Sequence, residues 1–408
     1  MKIEIRNFST PLFLITIFFI PTQFGYHFWP DFSIVDGIRV DYLSPTLYVT
    51  DVLLLSQFVL HGKCFLEWIK KKKKNIQLTR LFFALVVVIS IGILLSVNPG
   101  AGVYGLVRLV EMVLFGALVK HVASKEVLRA SLVVLSLGLI SQSLLAVVQF
   151  FHQSAIGGLF YFFGERMIVG STPGAANVSL GGALILRPYG TFSHPNVLGG
   201  FLVIGVMLQN LIPLKKLNIL SMCLGIVGLF ASLSRSALVV VVGALGWVIL
   251  YKKLKVNKVT IIGVVTLLVG IGAFFPFVTE RFVQTSFDES VSMRFSLIQN
   301  AVSMTMSHPF FGVGLNNFYN HVHSSHQPVH NVMLLILSQT GVFGFALSGY
   351  LLMKTFFQTK NKVLRTTLIA VLVLSMTDHY FLTSQQGLLI VSFVLGLAWS
   401  PLLRKESI

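Results

Sequence analysis

The sequence predicts an all-α, polytopic membrane protein with about twelve transmembrane helices and two long extracytoplasmic loops. Three observations predict it. Of the 408 residues, 55% are hydrophobic and only 11% charged, against about 25% charged in a soluble globular chain. The apolar residues come in continuous stretches near the ~20 residues that a spanning helix needs. A transmembrane β-barrel would alternate them instead. The loops between the stretches alternate in basic content. The same figures exclude a disordered or coiled-coil chain. A net charge of +17 would suggest nucleic acid in a soluble protein. Here the placement of the charges matters more than their sum, and no nucleic-acid partner is expected.

The spans are read in order as 10–28, 44–62, 81–97, 102–119, 131–151, 195–212, 219–234, 236–251, 259–276, 331–353, 366–383 and 385–402. The first follows Lys2 and Arg6, and no small-residue cleavage site comes after it. It is expected to be a retained helix rather than a signal peptide. The whole chain, 1–408, reads as one integral membrane domain.

Every second loop is basic, and together with the termini these loops hold 24 of the 31 basic residues. They include Lys70 to Lys74, Lys215 and Lys216, Lys252 to Lys258, and Arg404 with Lys405. The positive-inside rule makes that side, with both termini, the cytoplasm. The expected location is therefore the cell's inner (cytoplasmic) membrane. The lysine run at 70–74 reads as a topology anchor on anionic lipid.

The other seven basic residues are all arginine: Arg39, Arg108, Arg166, Arg187, Arg235, Arg281 and Arg294. Arginine grips phosphate with a planar fork, whereas lysine is a point charge. An outer face that uses only arginine suggests an anionic ligand. Arg108 near Glu111, Arg166 beside Glu165 and Arg281 beside Glu280 are expected to be structural pairs. Arg187, Arg235 and Arg294 have no acidic neighbour in sequence and are the candidates for a ligand.

Two outer loops are long, 152–194 and 277–330, and function is expected in them and the spans they border. Within the second, 293–306 has a helical apolar pattern too short to span. Cys64 and Cys223 offer no outer disulfide.

Three stretches carry chemistry. Arg187-Pro-Tyr-Gly-Thr-Phe-Ser-His194-Pro-Asn196 leads into the sixth span. Gly190 and the prolines bend the backbone, and the helix start at Pro195 and Asn196 favours an anion. His194 reads equally as a helix cap or as a functional group. Ser234-Arg235-Ser236 turns between spans seven and eight, where a charge at the membrane is a functional hypothesis by default; snorkelling to headgroups is the plainer reading. The third stretch runs from Arg294 through His308-Pro-Phe-Phe-Gly-Val-Gly314 to His330-Asn331. His321, His323, His326 and His330 have spacings that suit a metal, but no acidic residue is near them in sequence and a solvated polar loop explains them as well. His330, at the membrane edge, is preferred as an acid or base, because imidazole titrates near ~6.5.

Together these blocks, their order and the span pattern resemble the O-antigen ligase/polymerase family of bacterial envelope glycosyltransferases, from roughly residue 80 to 400. The resemblance implies a fold of the GT-C type. It implies transfer of a glycan from an undecaprenyl-diphosphate carrier to an acceptor on the outer face. The acceptor is lipid A core in ligases and the next repeat unit in polymerases; protein O-glycosylation is a third outcome. The matching positions are His330 as base and Arg187 and Arg235 as diphosphate ligands, with Arg294 assisting and His194, Asn196 and Asn331 in support. No metal or other cofactor is implied, although His321, His323 and His326 lie outside the family pattern and keep the metal reading open. Direct displacement by an acceptor hydroxyl would invert the anomeric centre.

A transporter or flippase for a lipid-linked glycan or small molecule is the alternative, since intramembrane charge also marks substrate pathways. Against it, spans six and seven are joined by only about six residues, 213–218. Two six-span transport halves are typically joined by a long cytoplasmic loop.

Overall fold

The computed structural model describes residues 9–71, 76–121, 124–180, 182–212, 214–250, 258–275, 279, 289–322 and 326–403. The chain is 71% helical with almost no sheet. In order its helices are α1 (Ser9–Phe18), α2 (Val49–Lys71), α3 (Ile76–Leu94), α4 (Pro99–Lys120), α5 (Lys125–His152), the single turn α6 (Leu159–Phe162), α7 (Pro195–Leu208), α8 (Lys215–Ser232), α9 (Arg235–Leu250), α10 (Lys258–Ala273), α11 (Glu289–Ser307), α12 (Val332–Gln358), α13 (Lys362–Ser375), the single turn α14 (Tyr380–Thr383) and α15 (Gln385–Trp399).

Each expected span holds a helix. Of the described helices, α4, α5, α8 and α12 are long and apolar enough to cross a membrane. Two expectations fail in part. α1 stops at Phe18, and the rest of the first expected span is not helical. Pro21 cannot continue a helix, and Gly25–His27 forms strand β1. The eleventh expected span is broken: α13 ends at Ser375 and the chain turns through Asp378 and His379 before α14. The short amphipathic element appears as α11. Its Leu297, Ala301 and Met304 pack with Val313, Phe318, Val329 and Leu335.

α7 lies at the centre. Nearly every residue of it is buried, as expected of a helix that is apolar on all sides. It packs on α5, α8, α13 and α15. Phe192, Phe201, Phe230 and Phe393 fill the space between them.

The described lysines fall at one end of the bundle. Lys125, Lys215, Lys258 and Lys362 begin their helices, and Lys120 stands over the Trp399 ring at 5.1 Å. The loops at the other end, 19–48, 152–194, 308–331 and 376–384, contain no lysine. Three antiparallel strand pairs lie there: β1 with β4 (Thr46–Tyr48), and the hairpins of β2 (Ile34–Val35) with β3 (Ile38–Arg39) and β5 (Asn177–Leu180) with β6 (Ala183–Leu186).

α12 is interrupted at Gly341, where φ is +62°. The segment after α11 repairs the break. Val313 and Gly314 donate their N–H groups to the carbonyls of Ser338 and Gln339, at 2.9 and 3.1 Å. Val342 donates to the Pro309 carbonyl at 2.8 Å. A Cβ on Gly341 would come 2.3 Å from the Phe310 backbone, and one on Gly312 would come 2.4 Å from Gln339. Gly312 of the His-Pro-Phe-Phe-Gly-Val-Gly block and Gly341 are thus required by close backbone contact, and a Cβ on Gly314, at φ +97°, would come 2.9 Å from the Gly92 carbonyl.

Candidate functional site

The site is built from the start of α7. Residues 189–191 are held by two buried glutamines of α5. Gln149 Oε1 accepts from the N–H groups of Tyr189 (3.0 Å) and Gly190 (2.7 Å), and Gln142 Oε1 accepts from Thr191 N at 3.0 Å. Gly190 has φ +58°, and a Cβ there would meet Gln142 Oε1 at 2.6 Å. The bend delivers His194 as the N-cap of α7, its Nδ1 accepting from Asn196 N at 3.1 Å. The capping reading of His194 is therefore met, and its side chain also lines the cavity described below.

A chain of polar contacts runs inward from Asn196. Its Oδ1 accepts from Arg187 Nη2 at 2.8 Å, and its Nδ2 donates to Asp378 Oδ2 at 2.8 Å. Arg187 Nε donates to the Ser232 carbonyl at 3.2 Å. Asp378 Oδ1 accepts from the N–H of His379 at 2.8 Å and stands 3.8 Å from His379 Nε2. His379 Nδ1 is 2.7 Å from Thr383 Oγ1, and its ring meets that of His330 edge-on, with centroids 4.9 Å apart. Asn331, beside His330, caps α12 by accepting from Leu334 N at 3.0 Å. It also donates to the Met376 carbonyl at 3.1 Å, tying the start of α12 to the end of α13.

His194, His330, Asp378 and His379 face one cavity of 820 Å³. Its walls come from the region of the first strand pair, including His27, Trp29 and Tyr42, and from residues 161–167. Burial lowers the pKa of His330 below the ordinary imidazole value; the Asp378 carboxylate opposes that and the Arg294 charge adds to it. Burial brings His379 down to about 4 against the pull of Asp378. Burial and the nearby Arg187 bring His194 to about 3. Burial also disfavours ionised Asp378, but the three histidines and the Asn196 amide outweigh it and hold its carboxyl below the usual range. At neutral pH the site is a carboxylate among neutral imidazoles. His330 Nδ1 is buried and has no hydrogen-bond partner among the described residues. It is one of several such atoms among the described residues, and each calls for an explanation, which a functional role would give here.

His330, Asp378 and His379 each bring a ligand atom within 4.8 Å of the others, the one such group found among the described residues. These are the residues that can hold a metal. Both Asp378 oxygens and His379 Nδ1 already have protein partners, so the cluster also stands as a hydrogen-bonded unit. Among the described residues, the histidines of 321–330 are not brought together. His321 meets the His308 ring at 6.1 Å, His326 pairs with Asp36 at 3.6 Å, and His330 turns to His379. His323 lies outside the described residues.

The arginines separate. Arg187 is buried behind the cavity and braces Asn196. Arg235 begins α9 next to Ser234, which packs against Gly199 of α7. Arg294, on α11, acts on His330 and His379 through its charge. None of these three lines the cavity; its arginine, among the described residues, is Arg166. Arg108 pairs with Glu111 as expected, at 2.9 Å. Arg166 and Glu165 do not pair. Glu165 is taken by Gln149 and by the N–H groups of Ile156 and Gly157. Arg281 and Glu280 lie outside the described residues.

Asp378 and His379 were missed by sequence reasoning because they sat inside an apolar stretch taken as one span. The signal was present: an Asp-His pair in a membrane segment is a functional hypothesis in itself.

No curated protein matches the chain. A family model described as O-antigen ligase matches residues 220–348, from α8 through Arg235, Arg294 and His330 into α12. In a bundle with four described helices long and apolar enough to cross a membrane, this suggests a membrane glycosyltransferase-like role, and it supports an O-antigen ligase/polymerase family assignment.

Proposed function

We propose that the protein is an inverting, metal-independent glycosyltransferase that moves a glycan from undecaprenyl diphosphate to an acceptor hydroxyl on the outer face of the inner membrane. The observation that carries this reading is His330, with its orphan nitrogen, set against Asp378 and His379 in an 820 Å³ cavity. Twelve crossings with both termini cytoplasmic would put the lysine end inside and the cavity outside.

In this reading the acceptor oxygen attacks the anomeric carbon. The bond from that carbon to the diphosphate breaks, and the lipid diphosphate leaves with the electron pair. His330 takes the hydroxyl proton, and Asp378 steadies the imidazolium that forms. Arg187, Arg235 and Arg294, which stand outside the cavity lining, supply positive charge at a distance for the leaving diphosphate, which needs no metal for that purpose. Arg187 acts largely through Asn196, whose amide it orients. His194 and Asn331 fix the two helix starts that carry the cavity floor. An acceptor of lipid A core makes the protein a ligase, and a repeat unit makes it a polymerase.

The test is transfer by the purified protein in lipid, with an undecaprenyl-diphosphate oligosaccharide, candidate acceptors and EDTA. Transfer that persists in EDTA and is lost in folded His330→Ala supports the reading. Transfer that EDTA abolishes and Zn²⁺ or Mg²⁺ restores refutes metal independence. Movement of the lipid-linked glycan between leaflets without transfer replaces the enzyme by a flippase.

A further inference from the structure

The wall of the cavity at 159–167 has two unlike faces. Leu159, Phe160, Tyr161, Phe162, Phe163 and Met167 are 38–78% exposed. Exposed apolar side chains are ordinary on a spanning helix, but these belong to the connection after α5. Tyr161, Gly164, Arg166 and Met167 of the same short segment line the cavity.

The segment is held firmly. Phe163 stacks on Phe19 at 5.8 Å, and Tyr161 meets Phe24 edge-on at 5.9 Å. Glu165 pins the chain to Gln149 and to two backbone N–H groups. Arg166 makes one hydrogen bond among the described residues, to the Ser193 carbonyl at 3.1 Å, and its side chain is exposed on the cavity wall. An apolar lip thus ends in a guanidinium that shares a cavity with His330.

We propose that residues 159–167 form a lateral portal. The polyisoprenyl tail of the donor lies along the apolar lip within the membrane, and Arg166 receives the diphosphate as it enters the cavity. The identity of this lipid rests on the glycosyl-transfer reading. The occupant follows from the pairing of features. A long apolar chain needs exposed apolar surface at the membrane, and a diphosphate needs an arginine fork at its end. A bulk acyl chain uses the first feature and leaves the second without a role. Arg166 is thereby a binding residue for the donor, distinct from Arg187, which is buried behind the cavity.

The kinetic test uses the full chain in lipid and two donors with the same glycan diphosphate, one on undecaprenyl and one on a two-isoprene chain. In Leu159→Ser/Phe162→Ser the ratio of KM for the long donor to KM for the short one rises about tenfold, the effect of roughly one lost apolar contact. In Arg166→Gln both KM values rise together and the ratio stays. An unchanged ratio in the first variant, or unchanged KM values in the second, overturns the portal. A second measurement needs no turnover. Undecaprenyl diphosphate carrying a diazirine on its isoprenoid chain is photolysed with the wild-type protein, and the label is mapped. Label on 159–167, reduced by Arg166→Gln, supports the portal; label confined to the spanning helices overturns it. If wild type transfers from neither donor, the glycosyl-transfer reading fails, and the photolabel still decides the portal.

Discussion

Two clusters of ionisable side chains among the described residues behave differently. In the first, Arg108 of α4 lies between Asp51 and Glu111 at 2.8 and 2.9 Å. Its guanidinium sits over the Tyr48 and Tyr104 rings at 5.1 and 5.4 Å. Its Nε donates to Tyr104, and its Nη2 donates to the Thr46 carbonyl. The cavity beside it holds about 50 Å³, enough for a water or two. The second cluster, His330 with Asp378 and His379, opens on 820 Å³ and keeps an orphan ring nitrogen. Charge inside a membrane protein therefore does not locate the chemistry by itself. Glu111 Oε1 is also left without a partner in the first cluster, so the difference lies in the space: side chains packed in a tight pocket hold helices together, and those facing an 820 Å³ cavity can meet a substrate.

Substitutions sharpen that contrast. The largest effect is expected from His330→Ala, which should lower kcat by about 10²–10⁴, the usual worth of a general base. Its thermal midpoint should stay near wild type. A variant that transfers normally, or one that unfolds, would make His330 a structural group like Arg108.

Next comes Arg108→Ala. It leaves two carboxylates buried without their cation and should cost about 3–5 kcal/mol of stability, read by thermal or denaturant unfolding in detergent. Activity per folded molecule should hold. A selective loss of kcat with stability intact would move this cluster into the site.

Asp378→Asn keeps the hydrogen-bonded shape but removes the charge. It should lower kcat by about ten- to a hundredfold, the range for one lost charge-assisted hydrogen bond of ~1.5–3 kcal/mol. It also shifts the pH profile. The carboxylate raises the His330 pKa, so its loss should move the acid limb of kcat/KM to lower pH.

The smallest effect is expected from Arg294→Gln, and it has the opposite sign. Burial and Arg294 lower the His330 pKa. The base is therefore neutral and active at pH 7, and is lost by protonation as pH falls below the ordinary ~6.5. Removing Arg294 should move that acid limb upward. A limb unmoved in both variants would detach His330 from the pH profile.

Much of the bundle was legible in the sequence, because long apolar runs leave a chain few alternatives to helices. The lysine ends were legible for the same reason. The failures have local causes. Residues 19–28 counted as apolar, but Pro21 and Gly25 break a helix and the aromatic residues around them suit strands. His330 stood out in the sequence at the membrane edge where the tenth span begins. Asp378 could not be joined to it, because the contact spans 48 residues of chain and no short-range pattern encodes it. Glu165 misled by adjacency. Neighbours in sequence need not face each other, and its carboxylate had nearer N–H donors to satisfy.

The break in α12 has a consequence for how this molecule can change. The backbone groups freed at 338–342 are satisfied by 309–314, a segment on the far side of the loop that carries four histidines. The two pieces form one joint, although they lie nearly thirty residues apart. A chimera that imports α11 and its following loop from another protein must import the matching 338–342 turn as well. Inheritance at the joint is therefore expected to be all or nothing. The segment between, 315–337, is anchored at both ends by this joint, and it can vary only around His330, Asn331 and the buried Phe318, Val329 and Leu335 that pack on α11.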